Sequence, residues 1–194
     1  MLTTEQKNGL GIALNEATLL GVEVDTSRCV AAATLALLSL PESGPKPEDT
    51  RMQLRFDGVG RVAASLRLGR WDDRTAPVEP FPINRLLEVV QSFGALPVYG
   101  WDLIDQEADI ASWADRLSFD WQCPNESVAH SIRLFQEGPE RHLDLAIWFR
   151  TLRFFAPDER EVTLEDVIAG GKRWWDAFYA NDPRTEGSGM FPLR

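Results

Sequence analysis

Histidine and cysteine are scarce in this chain. Its 194 residues hold two of each, His130 and His142, Cys29 and Cys123. A transition-metal site wants two or three clustered imidazoles or thiolates. Neither cysteine has a CxxC partner or a histidine close in sequence, so neither a zinc centre nor a redox motif is indicated. No serine stands in a GxSxG nucleophile elbow, and neither a Walker A motif nor a Rossmann glycine fingerprint occurs. That removes serine-hydrolase chemistry and the nucleotide-binding modes that a sequence can announce. The expectation is no cofactor and no metal.

Long apolar runs are missing too. VAAATLALLSL, Val30 to Leu40, interrupted by Thr34 and Ser39, is about half the length of a spanning helix and reads as a buried strand. The opening MLTTEQKNG has no apolar region behind a basic start, so no secretory signal is expected and the cytoplasm is the expected compartment. In a reducing compartment the two cysteines are expected as separate buried thiols. Lysine is limited to Lys7, Lys46 and Lys172. The arginine bias fits a GC-rich bacterial coding background rather than a recognition chemistry.

What is abundant is acid. Thirty Asp and Glu against twenty Lys and Arg give a formal charge of -10 and a pI near 4.7. That field repels phosphate backbones and anionic headgroups, so neither nucleic acid nor membrane is an expected partner. The length and an apolar content of 44% suit one globular domain over residues 1–194, with residues 181–194 as a mobile tail in which Met190, Phe191 and Leu193 are able to dock.

Three hairpins follow from alternation. In the first, a turn at Asp25 to Arg28 sets Val24 opposite Cys29, Val22 opposite Ala31 and Leu20 opposite Ala33, giving one wholly apolar face. In the second, Asp57-Gly58-Val59 followed by Gly60 suits a bulged turn. Met52, Leu54 and Phe56 then share a face with Val62 and Ala64, and Arg51, Arg55, Arg61 and Arg67 form a basic face on the other side. In the third, SVAHSIRLFQ pairs with HLDLAIWFR about Gly138 to Glu140. His130 then lies on the apolar face as a hydrogen-bonded core residue, Arg133 lies across from Asp144, and His142 is exposed.

Helices are expected at NRLLEVVQSFG, with Asn84 as cap and Gly94 as stop, at DIASWADRL, and at TLEDVIAGGKRWWDAFYA, with Thr163 as cap. Gly170 and Gly171 inside the last each cost about 1 kcal/mol relative to alanine, which a close approach to a sheet would offset. PESGPKPEDT and WDDRTAPVEPFP read as surface loops. The fold class is therefore α+β: a strand-rich antiparallel sheet or sandwich built from hairpins, with two or three helices including a C-terminal amphipathic one.

The candidate site is YGWDLIDQEAD: Tyr99, Trp101, Asp102, Asp105, Glu107 and Asp109. Read as extended chain, it places Asp102 among apolar neighbours. From Gly100 to Glu126 seven acids face the single base Arg116, the most acidic stretch of the chain and the place for a cationic partner to land. Of seven tryptophans, Trp71, Trp101, Trp121 and Trp175 have an aspartate directly beside them. Tryptophan with carboxylate serves sugar recognition and glycoside hydrolysis, serves protein interfaces, and also arises when a core tryptophan has a solvated neighbour.

The expectation is a non-enzymatic protein-interaction module, immunity-like by analogy of charge alone. The alternative is a carbohydrate or small-ligand binding protein or hydrolase using Trp101 with Asp102 and Asp105. A homo-oligomer joining acidic to basic faces is the third reading.

Overall fold

The computed structural model describes residues 1–100, 102–106, 110–124 and 126–187. The chain is an α+β sandwich of two antiparallel sheets. The first sheet has the order β1-β2-β3-β8-β9, from Thr18–Asp25, Val30–Ala36, Arg51–Asp57, Thr151–Phe155 and Glu161–Val162. The second has the order β5-β4-β7-β6, from Phe119–Gln122, Arg61–Leu68, Arg141–Phe149 and His130–Glu137. Leu54, Phe56, Val62, Leu66, Ile132, Leu145, Ile147 and Phe149 fill the space between them, each 0 or 1% exposed. Helices α1 (Thr4–Leu14), α2 (Leu86–Gln91) and α3 (Leu164–Tyr179) add Leu10, Leu14, Val90 and Val167 to the same core. Among the described residues no helix is long and apolar enough to cross a membrane.

The first and third hairpins form with their apolar residues on the expected face, except that Leu19 replaces Leu20 in the core, but both pair two residues away from the expected register. Val22 lies opposite Ala33 and Val24 opposite Ala31, and a bulge between Leu19 and Gly21 leaves Leu20 without the expected partner. His130 lies opposite Phe149 and Ile132 opposite Ile147. In each case the turn spans four residues. The first is stabilised by the Asp25 carboxylate, which accepts from Ser27 N–H at 3.0 Å and Arg28 N–H at 3.1 Å, with Cys29 in the left-handed region at φ 50°. A slip of two leaves a pattern of period two unchanged, so only the turn decides it.

The second hairpin does not form. β3 pairs with β2 and β8, whereas β4 pairs with β7 and β5. Residues Asp57 to Arg61 instead carry the chain from one sheet to the other. The apolar faces of β3 and β4 meet as expected, across the core rather than side by side. Phe149 to Thr151 makes a second crossing beside the first: Gly58, at φ +64°, lies so near Arg150 that an added Cβ would sit 2.9 Å from that residue's Cβ. Cys29 and Cys123, expected as separate thiols, form a disulfide at this same end, with Cα atoms 6.2 Å apart. Their 94-residue separation hid the pairing. Topology sets the β1–β2 turn beside the end of β5.

α1 was not expected from the sequence, because Gly9 and Gly11 interrupt its pattern. Its start nevertheless carries a capping box between Thr3 and Gln6. α1 is what α3 packs against: a Cβ on Gly171 would come within 2.5 Å of Ala13 Cα, and one on Gly170 within 2.3 Å of the Ser39 hydroxyl. The two glycines thus seat α3 on a helix and an extended segment, not on a sheet. Trp174, Trp175 and Phe178 close a second small core with Leu40. Thr163 caps α3 as expected, its hydroxyl accepting from Asp166 N–H at 3.1 Å, a contact worth about 1 kcal/mol.

Ile110 and Ala111 are helical and Ser112 to Asp115 turn, so among the described residues the expected helix is shorter than the sequence suggests, but Ile110 and Trp113 are buried against Ala63 and Ala146 as the expected face requires. Of the segment WDDRTAPVEPFP, Val78 forms a bridge with Arg67 on β4, so part of it extends the second sheet. At the chain's end Pro183–Thr185 forms a short turn with Thr185 buried. Met190, Phe191 and Leu193 lie outside the described residues.

Candidate functional site

The segment Tyr99 to Gln106 is not a regular strand. It follows the free edge of β6: Tyr99 N–H approaches the Phe135 carbonyl at 3.4 Å, Arg133 N–H donates to the Leu103 carbonyl at 2.8 Å, and Asp105 N–H donates to the Ser131 carbonyl at 2.9 Å. Leu103 and Ile104 are both buried, and Asp102 is exposed rather than lodged among apolar neighbours. Alternation is broken because the chain covers an edge instead of joining a ladder on both sides. Trp101, Glu107 and Asp109 lie outside the described residues.

Asp105 is an internal anchor. Its carboxylate meets Lys7 Nζ at 2.5 Å and His130 Nδ1 at 3.0 Å and accepts from Ser131 N–H at 2.8 Å. Burial alone would raise its pKa, but the bonds from Lys7, His130 and Ser131 outweigh it and hold the carboxyl below its ordinary range. His130 is 7% exposed, and its Nε2 accepts from Leu2 N–H at 3.2 Å. The Nε2 acceptor fixes the proton on Nδ1, which donates to Asp105. An aspartate–histidine pair is present, but a backbone amide occupies the nitrogen that would serve as a base. The adjoining cavity, lined by Lys7, Asp102 and Asp105, measures about 170 Å³. That is below the several hundred Å³ typical of small-molecule sites.

The acidic stretch is not one surface. Asp105 faces α1, Asp120 pairs with Arg61 at 2.7 Å on the edge of β5, and Glu126 pairs with Arg150 at 3.4 Å at the crossing end. The arginines are likewise divided. Arg51 and Arg55 lie on the outer face of the first sheet, whereas Arg61 and Arg67 lie on the outer face of the second. Because β3 and β4 belong to different sheets, the structure does not assemble the expected basic face.

The outer face of the second sheet is instead a covered polar layer. Asp144, 0% exposed, receives Arg67 Nη2 at 2.5 Å and Arg133 Nη2 at 2.7 Å. Arg133 and Asp144 therefore share a face and pair diagonally, although Ala146 is directly opposite Arg133. His142, expected to be exposed, is also 0% exposed, with Nδ1 at 2.9 Å from the Gly69 carbonyl. Burial pushes its pKa down, with Arg67 adding to the effect. Ser65 Oγ, Arg67 Nε and His142 Nε2 find no hydrogen-bond partner among the described residues. Ion pairs of this kind specify geometry more than they stabilise, since both charges leave water.

Two of the described exposed aromatic residues lie elsewhere, at the end of the sandwich opposite the disulfide, whereas Tyr179, 61% exposed, stands at the end of α3. β4 ends there at Leu68, 45% exposed, followed by Trp71 at 56%. Tyr99, 42% exposed, lies in the same region: partial burial first, then Glu16 and Glu137, push its hydroxyl pKa up. Glu137 also acts on Arg70, the residue before Trp71. Glu16 stands at φ 59° in the turn between α1 and β1, and partial burial raises its own pKa. Of the described candidate residues, only Tyr99 belongs to this region. Trp71 was legible as a tryptophan beside an aspartate. Glu16 and Glu137 carried no signal, because only topology brings them near Tyr99. No protein-family model matches the chain, and neither a curated protein nor a solved structure matches it.

Proposed function

We propose that this protein is a non-enzymatic interaction module that takes a cationic segment of another protein at the end formed by Trp71, Tyr99, Glu16 and Glu137. The observation that carries the reading is the exposure of Trp71 and Tyr99 at one end of the sandwich, with Glu16 and Glu137 near Tyr99. Tyrosine and tryptophan are the usual anchors of protein interfaces, and each offers its ring to a guanidinium or ammonium group. Carboxylates around them speed the approach of a basic partner and select against acidic ones. The other groups that could serve chemistry are committed within the fold: Asp105 to Lys7 and His130, and Asp144 to Arg67 and Arg133. The net charge of -10 favours the same class of partner.

The test is calorimetric titration with a peptide rich in arginine and lysine. Wild-type protein is expected to bind, with affinity falling as salt rises. Tyr99→Ala and Glu137→Gln should each weaken binding about tenfold without lowering the melting temperature. Equal binding by both variants would sink the proposal.

A further inference from the structure

A second surface, remote in chemistry from the first, lies on the outer face of the first sheet. Thr34 on β2 and Gln53 on β3 are directly paired, and Gln53 is paired in turn with Phe155 on β8. Together they floor a trough of about 550 Å³, with Arg51 and Arg55 along β3 and Glu159 in the wall raised by the β8–β9 turn. This volume falls within the range of small-ligand sites.

The arginines in and around the trough are already engaged. Arg51 holds the Asp49 carboxylate from its backbone N–H at 2.9 Å, from Nε at 3.0 Å and from Nη2 at 2.6 Å. Arg55 Nε lies 3.4 Å from Asp57, whose other oxygen receives Arg153 Nη2 at 2.8 Å. Arg51, Arg55 and Arg153 thus each hold a carboxylate, and Glu159 in the wall and Glu161 opposite Phe155 add further acids, leaving no surplus cation to attract an anion. The Thr34 hydroxyl and the Gln53 amide form no hydrogen bond with the described residues, and each can donate and accept. Phe155 supplies an apolar ring beside them.

From this set we infer that the trough binds a neutral saccharide. Hydroxyl groups on a sugar ring both donate and accept at adjacent carbons, as Gln53 and Thr34 do. Planar guanidinium–carboxylate pairs accommodate vicinal hydroxyls without demanding a net charge, and the C–H face of a pyranose packs on an aromatic ring. The site differs in place and ligand from the cationic-partner end, so either reading can fail alone.

The experiment is a titration of isotopically labelled wild-type protein with cellobiose, maltose and lactose, followed by amide chemical shifts, with glucose 6-phosphate as the anionic comparison. The expected result is saturable shifts at Thr34, Gln53 and Phe155 with at least one disaccharide, unchanged by added salt. Gln53→Ala, an exposed substitution that leaves the core intact, should weaken that binding about tenfold. Absence of shifts at these residues with every disaccharide at tens of millimolar would overturn the inference. So would salt-sensitive binding of glucose 6-phosphate alone, which would make the trough an anion site. Shifts unaffected by Gln53→Ala would place the sugar elsewhere and refute it as well.

Discussion

The two ends of the sandwich solve opposite problems. At one end the chain twice crosses from sheet to sheet, Gly58 lies against Arg150, and the Cys29–Cys123 disulfide ties the β1–β2 turn to the end of β5. At the other, β4 runs out into Leu68 and Trp71 and β6 into the turn before β7, with Leu68, Trp71 and Tyr99 exposed. The first end spends its residues on closure. The second keeps aromatic rings that packing does not use, and that contrast is why we place recognition there. Just behind the exposed end, however, lies the Arg67–Asp144–Arg133 group, which keeps β4, β6 and β7 in place beneath their cover.

The largest way to break the contrast is therefore Asp144→Ala. It leaves two guanidinium groups without their shared carboxylate and should cost roughly 3–5 kcal/mol of unfolding free energy. Asp120→Ala, which opens the more exposed pair with Arg61 on the same sheet, should cost about 1 kcal/mol or less. Denaturant unfolding of both variants checks the difference, and equal losses would show that the covered layer confers nothing that a surface pair does not.

Reduction of the disulfide ranks next. It closes a loop of 94 residues, and its loss should cost about 2–4 kcal/mol in the same assay. Peptide binding at the opposite end should survive at temperatures where the reduced chain remains folded. Loss of binding on reduction alone would mean that the two ends are coupled.

A smaller effect sharpens the picture of the covered layer. The folded chain keeps His142 neutral where the unfolded chain has begun to take up a proton, because burial, aided by Arg67, depresses its pKa against the opposing pull of Gly69, Asp144 and Glu137. Stability should then fall as pH drops below about 6.5, and the loss should be complete once pH passes the folded value of His142. Asp105, also depressed, adds a second loss only at more acid pH, below about 4. Melting temperatures between about pH 8 and 5 should show a slope that His142→Gln flattens. An unchanged slope would mean that His142 takes up protons equally in both states.

Much of this architecture was legible because apolar alternation assigns each residue to a face. Val22, Val24, Ile132 and Leu134 all point where the pattern sends them. The pattern cannot count turn residues, since moving Val22 from Ala31 to Ala33 alters no face. Nor can it tell a hairpin from a crossing: Phe56 and Val62 are buried either way, and only the pairing of β4 with β7 separates Arg55 from Arg61. Helix α1 escaped because its stability comes from contact with α3 rather than from its own periodicity. His142 was misplaced for a related reason, as a polar residue on an outer strand face is solvated only when nothing covers that face. The candidate site was legible in kind, aromatic rings with carboxylates, but not in membership.

The most direct measurement is to titrate the basic peptide into isotopically labelled protein and map the shifts. The account predicts perturbations at the Trp71 indole, Tyr99 and Glu137, with Thr34, Gln53 and the Cys29–Cys123 end silent. Perturbations confined to the Asp102–Asp105 segment or to the first sheet's outer face would contradict it.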